Sequence, residues 1–209
     1  MPKALLKKVV RRTRESPWAL ISVSWALLRG LLTVFYYRLR PGDVKIGWPL
    51  YVYGGWVSIR GPGRVRIGRG CLIAASAFRT LSIATLTPQA RVTIGDRCRL
   101  AGAVIRCAHS ITLEPRVMTG YCLIQDVDMV SAIETLPGDE PASRIVIGSG
   151  AWVTRQAVIT TGTTIGSEAV VGVGSLCYRI TVPPRTVTIG SPVLRSVPIS
   201  GLVAMNVHT

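Results

Sequence analysis

The sequence predicts an all-β solenoid, chiefly because apolar residues recur at every sixth position near its C-terminal end. Residues in this phase are Ile147, Val153, Ile159, Ile165, Val171 and Cys177. Small residues follow four places after each, namely Ala151, Ala157, Thr163, Ala169, Ser175 and Thr181. A period of six fits neither an α-helix nor an alternating strand. Each hexad is therefore predicted to form one short strand and one turn, with its apolar residue pointing inward.

The six-residue repeat covers most of the chain but is interrupted. Hexads begin near Ile46, blur between Arg79 and Gln89, and recover at Ile94. After a one-residue slip, an inward phase is predicted for Cys107, Leu113, Thr119 and Gln125. A polar, Pro-containing stretch at 129–146 has no repeat, so it is predicted to leave the solenoid as a projecting loop.

Three segments follow from these patterns. Residues 1–40 are predicted to be helical, residues 41–195 form the solenoid domain, and residues 196–209 are an apolar tail whose packing the sequence leaves open. Within the first segment, basic pairs four residues apart predict a helix from Lys3 to Arg14. A mainly apolar run then extends from Trp18 to Tyr37 and is interrupted by Arg29.

Basic charge is concentrated beside this apolar run. The chain has a formal net charge of +15, and residues 1–40 hold nine Lys or Arg against one acidic residue, Glu15. This combination predicts a peripheral anchor on the cytoplasmic face of a membrane. A spanning helix, or a helix that only packs on the end of the solenoid, stays an alternative. A cleaved signal peptide is disfavoured because no Ala-x-Ala site follows, and nucleic-acid binding because no aromatic-studded groove is evident.

The five cysteines, at positions 71, 98, 107, 122 and 177, show no Cys-x-x-Cys spacing. Cys107 and Cys177 occupy inward hexad positions, which favours buried thiols in a reducing compartment. Neither a disulfide framework nor a metal site is expected.

Several motifs resemble the hexapeptide-repeat acyltransferases, in particular the polysaccharide O-acetyltransferases. They are Ile147-Gly-Ser-Gly-Ala-Trp-Val-Thr, Ile165-Gly-Ser-Glu-Ala-Val-Val-Gly-Val-Gly-Ser, Val182-Pro-Pro and Ile189-Gly-Ser-Pro. The resemblance implies a left-handed parallel β-helix of triangular section, a homotrimer with active sites between subunits, and acetyl-CoA as acyl donor to a sugar hydroxyl. It covers roughly residues 44 to 195.

The family's catalytic histidine is missing from its usual place. In the resembled family, this base lies just before the projecting loop, but here the two histidine positions hold Val127 and Met129, beside Asp126 and Asp128. We expect His109 to serve as a displaced base, because three hexads would put it directly beneath Val127 on the neighbouring coil. Either aspartate would orient the imidazole or act as a base itself. The alternatives are a solvated histidine and aspartates that cap turn amides.

The resemblance also implies a groove for coenzyme A. Its candidate residues are Trp152, Thr154, Arg155, Tyr178, Arg179, Gly190, Ser191 and Arg195. Arg179 and Arg195 would pair with phosphate. Thr154 stands where the family has glycine, and its side chain would narrow the groove. As alternatives to these binding roles, Trp152 is a packing residue and the arginines are surface charge.

Two functions remain open from the sequence. The first is O-acetyl transfer to a sugar of a surface polysaccharide or of its lipid-linked precursor. The second is a catalytically inactive relative that acts as a scaffold or regulatory partner of membrane glycan-synthesis enzymes, which the residues at positions 127, 129 and 154 favour.

Overall fold

A computed structural model describes residues 17–40, 42–74, 80–127 and 144–199. The predicted helix from Lys3 to Arg14, Asp128, Met129, most of the predicted loop and residues 200–209 lie outside these ranges. The described end of the loop requires one correction. The strand after it begins at Ile145, so the loop is over before residue 146.

Short strands follow one another in six coils, each with three strands. Coils 1 to 3 contain β1 (Val44–Ile46), β2 (Leu50–Tyr53), β3 (Ser58–Arg60), β4 (Arg64–Ile67), β5 (Cys71–Ala74), β6 (Ser82–Thr85), β7 (Arg91–Ile94), β8 (Arg99–Ala101) and β9 (Val104–Cys107). Coils 4 to 6 contain β10 (Ser110–Leu113), β11 (Met118–Thr119), β12 (Leu123–Gln125), β13 (Ile145–Ile147), β14 (Trp152–Val153), β15 (Val158–Ile159), β16 (Thr164–Ile165), β17 (Val170–Val171) and β18 (Leu176–Cys177). A partial coil contains β19 (Thr181–Val182), β20 (Thr186–Gly190) and β21 (Val193–Pro198).

Every third strand stacks into the same sheet. Sheet A has the order β1-β4-β7-β10-β13-β16-β19, sheet B β2-β5-β8-β11-β14-β17-β20-β21, and sheet C β18-β15-β12-β9-β6-β3. Among these strands, all pairings are parallel except that of β20 with β21. The predicted solenoid is therefore confirmed as a three-sided parallel β-helix, with its core enclosed by the three sheets.

The inward hexad positions form this core. The residues predicted at the inward phase, from Ile147 to Cys177, are all at most 1% exposed, and so are five of the six small residues, with Thr181 as the exception. Thr181 pairs with the outward-facing Thr164, only 17 positions earlier, so this coil is one residue shorter than three full hexads. The missing residue turns Thr181 outward, where it is exposed. All five cysteines are buried, as predicted for Cys107 and Cys177.

Glycine follows the last inward residue of sheet A because the next coil runs directly against it. A Cβ on Gly148 would lie 2.6 Å from the backbone nitrogen of Ser167, and one on Gly166 would lie 2.4 Å from that of Pro184. These backbone atoms cannot move without disturbing a whole coil. The glycines therefore set the spacing of the coils at this corner.

The predicted apolar helix forms α1 (Pro17–Leu39) and covers the open end of coil 1. Its buried stripe is Ala26, Gly30, Thr33 and Tyr37. A Cβ at Gly30 would lie 1.9 Å from the backbone oxygen of Leu50, so only glycine permits this approach. The Tyr37 hydroxyl donates to the oxygen of Val57 at 3.0 Å and accepts from the backbone N–H of Ile59 at 2.8 Å. The helix thus packs on the solenoid through one stripe and leaves its other faces uncovered.

Candidate functional site

The predicted site residues lie on two different edges of the prism. The loop edge is the turn from sheet C into the following sheet A strand, and it carries His109, Asp126, Tyr178 and Arg179. The tryptophan edge is the end of sheet B and its turn into sheet C, and it carries Trp152, Thr154, Arg155, Gly190 and Ser191. One hexad of strand and turn separates equivalent points on these edges, which is at most about 20 Å at roughly 3.3 Å per extended residue.

Asp126 is a buried carboxylate at the loop edge, 1% exposed. Its Oδ1 atom accepts a hydrogen bond from the backbone N–H of Ala108 at 2.6 Å, and its Oδ2 atom accepts from that of His109 at 2.8 Å. The Cys107 thiol donates to Oδ2 at 3.3 Å. Asp126 therefore caps the turn of the preceding coil, the alternative role that the sequence left open for it.

The predicted alignment of His109 with Val127 is wrong by one position. Gln125 pairs with Arg106, so the offset between these coils exceeds three hexads by a single position. Ile124 and Asp126 face inward in consequence, whereas Gln125, predicted to face inward, is half-buried. Asp126 therefore stacks on Cys107, and its carboxylate holds the backbone of His109 and not its imidazole.

His109 nevertheless has a fixed backbone and an exposed side chain. Its N–H donates to Asp126, and its carbonyl oxygen accepts from the N–H of Arg91 at 2.9 Å. Within the described ranges, the imidazole makes no hydrogen bond. The ring therefore projects from the turn one coil below the start of the segment 128–143, and no described residue occupies its nitrogens.

Cys107 is the last residue of β9, just before this turn, and the sequence placed it in the core without assigning it a contact. Burial, and after it the neighbouring Asp126 carboxylate, raises the pKa of the Cys107 thiol to about 12. The thiol therefore stays protonated and donates to the carboxylate. No sequence signal marks the pair, because Asp126 follows Cys107 by three hexads and one further position, and the extra position is set by a turn.

Tyr178 and Arg179 lie farther along the loop edge, two coils above Asp126. The Arg179 guanidinium carbon lies 5.5 Å from the centre of the Tyr178 ring, and both side chains are exposed. Arg179 has a φ of 47°, which turns the chain toward β19. This pair gives the edge a positive group on an aromatic platform, suited to a phosphate.

Trp152 and Arg155 give the tryptophan edge a similar character. Trp152 is 47% exposed on β14, and the Arg155 guanidinium carbon lies 5.6 Å from the centre of the Tyr121 ring. Tyr121 was not among the predicted site residues, because its contact with Arg155 joins positions on opposite sides of the predicted loop. Both edges thus present a cation next to an aromatic ring.

Thr154 fits into the wall of the tryptophan edge. Its hydroxyl donates to the carbonyl oxygen of Val171 at 2.7 Å, so its side chain lies against the next coil. Gly172 is the residue that stands above it. The Thr154 hydroxyl therefore already has a hydrogen-bond acceptor within the protein. The narrowing of a coenzyme A groove by its side chain stays a prediction.

Gly190 and Ser191 close the top of the tryptophan edge. The Gly190 N–H donates to the Ser175 hydroxyl at 3.4 Å, and a cis peptide bond joins Ser191 to Pro192. Arg195 belongs to β21, which pairs antiparallel with β20. The structure brings these segments near Trp152 along sheet B but not near His109.

Comparison with known proteins finds similar folds among solved structures, whereas no protein-family model and no curated protein matches the sequence. A Bacillus cereus protein assigned as an acetyltransferase matches with a TM-score of 0.52 and 17% identity over 79% of this chain and 85% of that one. A hexapeptide transferase family protein from Anaplasma phagocytophilum matches with 0.48 and 14% over 80% and 91%. A hexapeptide-repeat acetyltransferase from Vibrio cholerae, solved with acetyl coenzyme A, matches with 0.45 and 16% over 83% and 88%.

The stacked parallel sheets and the helix at one end define this protein as a β-solenoid with a capping helix. More narrowly, the chain has the left-handed parallel β-helix of the hexapeptide-repeat acetyltransferases, as the motifs predicted. At these identities the likeness concerns the fold, and the chemistry must be argued from the residues.

Proposed function

We propose that this chain is an acyl-CoA-dependent acyltransferase that transfers an acetyl group to a sugar hydroxyl. The observation that carries the proposal is His109, whose backbone is held on both sides and whose imidazole is exposed at the loop edge. An exposed imidazole is suited to accept the hydroxyl proton as the sugar oxygen attacks the thioester carbonyl. Coenzyme A then leaves as the thiol, after taking up a proton.

Asp126 is a positioning residue in this proposal. Its carboxylate fixes the turn that carries His109, and it does not contact the imidazole. Asp128 lies outside the described residues and remains a candidate partner for the ring. Arg155 and Arg179 are the exposed cations that would hold the phosphates of the donor.

A complete site would need a second copy of the chain, because a whole side of the prism, up to about 20 Å wide, separates the two edges. The outer face of sheet B supports self-association through a run of apolar side chains at paired positions, namely Met118, Trp152, Val170 and Val187. Val173 and Ile189, beside it, are 63% and 66% exposed. A homotrimer that joins the loop edge of one copy to the tryptophan edge of the next would bring donor and base together.

The acceptor we propose is a sugar of a surface polysaccharide or of its lipid-linked precursor, modified at the cytoplasmic face of a membrane. Support comes from α1, a mostly uncovered helix that is long and apolar enough to cross a membrane by length and composition. The chain would associate peripherally through residues 1–40, alongside glycan-synthesis enzymes.

Acetyl-CoA turnover with candidate glycans tests the base. His109→Ala should lower kcat/KM by about 10²- to 10⁴-fold, the usual contribution of a general base. His208→Ala, which changes the only other histidine, should leave the rate unchanged. Val127→His in the His109→Ala background should restore part of the rate, because the resembled family carries its base at that position. Full activity of His109→Ala would rule out this base.

A catalytically inactive scaffold is the second candidate function. It is favoured by the half-buried Val127 at a usual base position and by Asp126, whose oxygens are both engaged by backbone amides. Calorimetry with coenzyme A separates the two candidates. Binding near the micromolar range, roughly −8 kcal/mol, supports the transferase, and absence of binding by the assembled protein supports the scaffold.

A further inference from the structure

Four of the five tryptophans lie exposed at one end of the prism. Trp18 and Trp25 belong to α1 and are 75% and 56% exposed, and Trp48 and Trp56 flank β2 in coil 1 and are 48% and 70% exposed. The fifth, Trp152, is in coil 5. Tryptophan combines a large apolar ring with a polar N–H, a combination enriched where membrane meets water. Their clustering points to a bilayer interface at this end.

Helix α1 exposes apolar side chains on the faces that do not contact coil 1. They include Leu20, Ile21, Leu28, Leu31, Leu32, Phe35 and Leu39, each about half exposed or more. A surface helix of a water-soluble domain normally carries polar residues there. Only 22% of the apolar segment Leu20–Leu39 is buried, so the helix lacks the cover that a core helix has.

The same end is the most basic part of the described chain. Residues 17–74 hold eight Lys or Arg and one acidic residue, Asp43, whereas residues 144–199 hold five and one. Arg64 beside Asp43 holds the pKa of that carboxyl below its usual value, and the two side chains form a salt bridge. Lys45 and Arg66 occupy paired positions on adjacent strands and are both exposed. Asp43 lies near both cations, but its single negative charge does not balance Arg64, Lys45 and Arg66 together.

We propose that this end, the basal surface, docks on an anionic lipid bilayer with the solenoid axis upright. The basal surface consists of the exposed face of α1, Trp48, Trp56, Lys45 and Arg66. The tryptophans and the apolar face of α1 enter the interface, and the two cations meet lipid phosphates.

Contacts with coil 1 hold α1 in the interface and keep it from spanning. The backbone of Gly30 lies against Leu50, and Tyr37 bonds to both Val57 and Ile59. Moving α1 into the hydrocarbon would strip these contacts and uncover the end of the core. The helix therefore lies along the membrane plane while it remains packed on the prism.

This inference rests on the proposed function for its biological meaning, and it deepens that function by setting the height of the candidate site above the membrane. Asp126 lies in coil 4, three coils from coil 1, which is about 14 Å at the spacing of adjacent strands. Because α1, about 10 Å across, lies between coil 1 and the bilayer, the loop edge would stand roughly 14–24 Å above the headgroups, within reach of a lipid-linked glycan. Vesicle binding involves no acyl transfer, so it can fail while the transferase proposal stands.

Flotation of the full chain with vesicles tests the tryptophans. Wild-type protein should float with vesicles of phosphatidylglycerol and phosphatidylcholine and much less with phosphatidylcholine alone. Trp48→Ser with Trp56→Ser should weaken binding at least tenfold, whereas Val197→Ser, a change at an exposed apolar residue of β21 at the opposite end of the prism, should not. Thermal unfolding followed by circular dichroism establishes that each variant is folded.

A pair of charge variants tests the lipid phosphates. Lys45→Gln with Arg66→Gln should weaken binding to anionic vesicles about 30-fold, at about 1 kcal/mol for each cation. Arg116→Gln with Arg144→Gln removes the same charge from coils 4 and 5, which are two to four coils farther from the bilayer than Lys45 and Arg66. That height exceeds a Debye length at physiological salt, so this pair should change little. Quenching by brominated lipids should be stronger for shallow than for deep bromines.

Three results would overturn the proposal. One is equal flotation of the folded Trp48→Ser, Trp56→Ser variant and the wild type. Another is equal weakening by the basal and the upper charge pairs. The third is salt-insensitive binding with strongest quenching by deep bromines, which would identify a spanning helix.

Discussion

The Asp126 carboxylate accepts the backbone N–H of His109 at 2.8 Å from one coil above it. This bond joins the end of coil 4 to the end of coil 3 at the root of the segment 128–143. A buried carboxylate shared between two amides and a thiol stabilises the turn far more than an exposed ion pair would. The conformation of the only histidine among the described residues thus depends on an aspartate that does not touch its ring.

Replacing Asp126 with Asn should therefore destabilise the protein measurably. The amide oxygen of Asn can accept one of the two N–H groups, but its NH₂ group would face the other donor. The expected loss is about 2 kcal/mol in the free energy of unfolding, the range for hydrogen bonds to charged groups. Urea unfolding measures it, with the m-value unchanged. Glu168→Gln removes an exposed carboxylate bound to Arg185 and should cost less than about 1 kcal/mol; equal losses would contradict the cap.

Stability should fall at alkaline pH, in part through Cys107. Its pKa is raised to about 12 in the folded protein, above the value near 8.5 of a free thiol. The unfolded state therefore loses this proton first, so the stabilisation is complete below pH 8.5 and is lost between there and pH 12. The slope is about 1.4 kcal/mol per pH unit for one such group.

The contribution of Cys107 can be isolated by comparing wild type with Cys107→Ala. Urea midpoints measured between pH 8 and pH 10.5 should fall less steeply in the variant. Cys177→Ala is a parallel case, because burial raises the pKa of that thiol to about 11 without a neighbouring carboxylate. An unchanged slope in Cys107→Ala would show that the thiol ionises in the folded state.

Glycines of the solenoid should differ in their tolerance of a methyl group. Gly148→Ala would put Cβ 2.6 Å from the backbone nitrogen of Ser167 and should cost about 3 kcal/mol. Gly174 has a φ of 68° with nothing within 4 Å of an added Cβ, so Gly174→Ala should cost only the backbone strain, about 1 kcal/mol. Thermal unfolding of the two variants tests the order. The reverse order would mean that coil spacing adapts easily.

The solenoid was predictable because each hexad repeats a local pattern of one inward and one small residue. The register was not, since it depends on how many residues each turn contains. Thr164 follows its partner Val146 by three full hexads, but Gln125 follows its partner Arg106 by three hexads and one further position. A shift of one position exchanges the faces of a strand, and this turned Asp126 inward.

The division of the site between two edges was likewise invisible in the sequence. Motifs order Trp152 and Arg179 along the chain but not around the prism, where they lie on different edges. His109 could be selected because histidines are few, yet its support comes from a buried carboxylate whose capping role was only one alternative. The packing of α1 could not be derived either, because its apolar residues surround the helix and mark no single face.

Tyr37 should contribute more to stability than its neighbour Tyr36. The Tyr37 hydroxyl is buried and bonds to both the Val57 oxygen and the Ile59 N–H, so Tyr37→Phe leaves two backbone groups without a partner. The expected loss is about 2–3 kcal/mol. Tyr36 is exposed and its hydroxyl accepts from Arg40 at 3.2 Å, so Tyr36→Phe should change stability by less than about 0.5 kcal/mol. Chemical unfolding in detergent-free buffer measures both; equal effects would mean that α1 is not docked on coil 1 in solution.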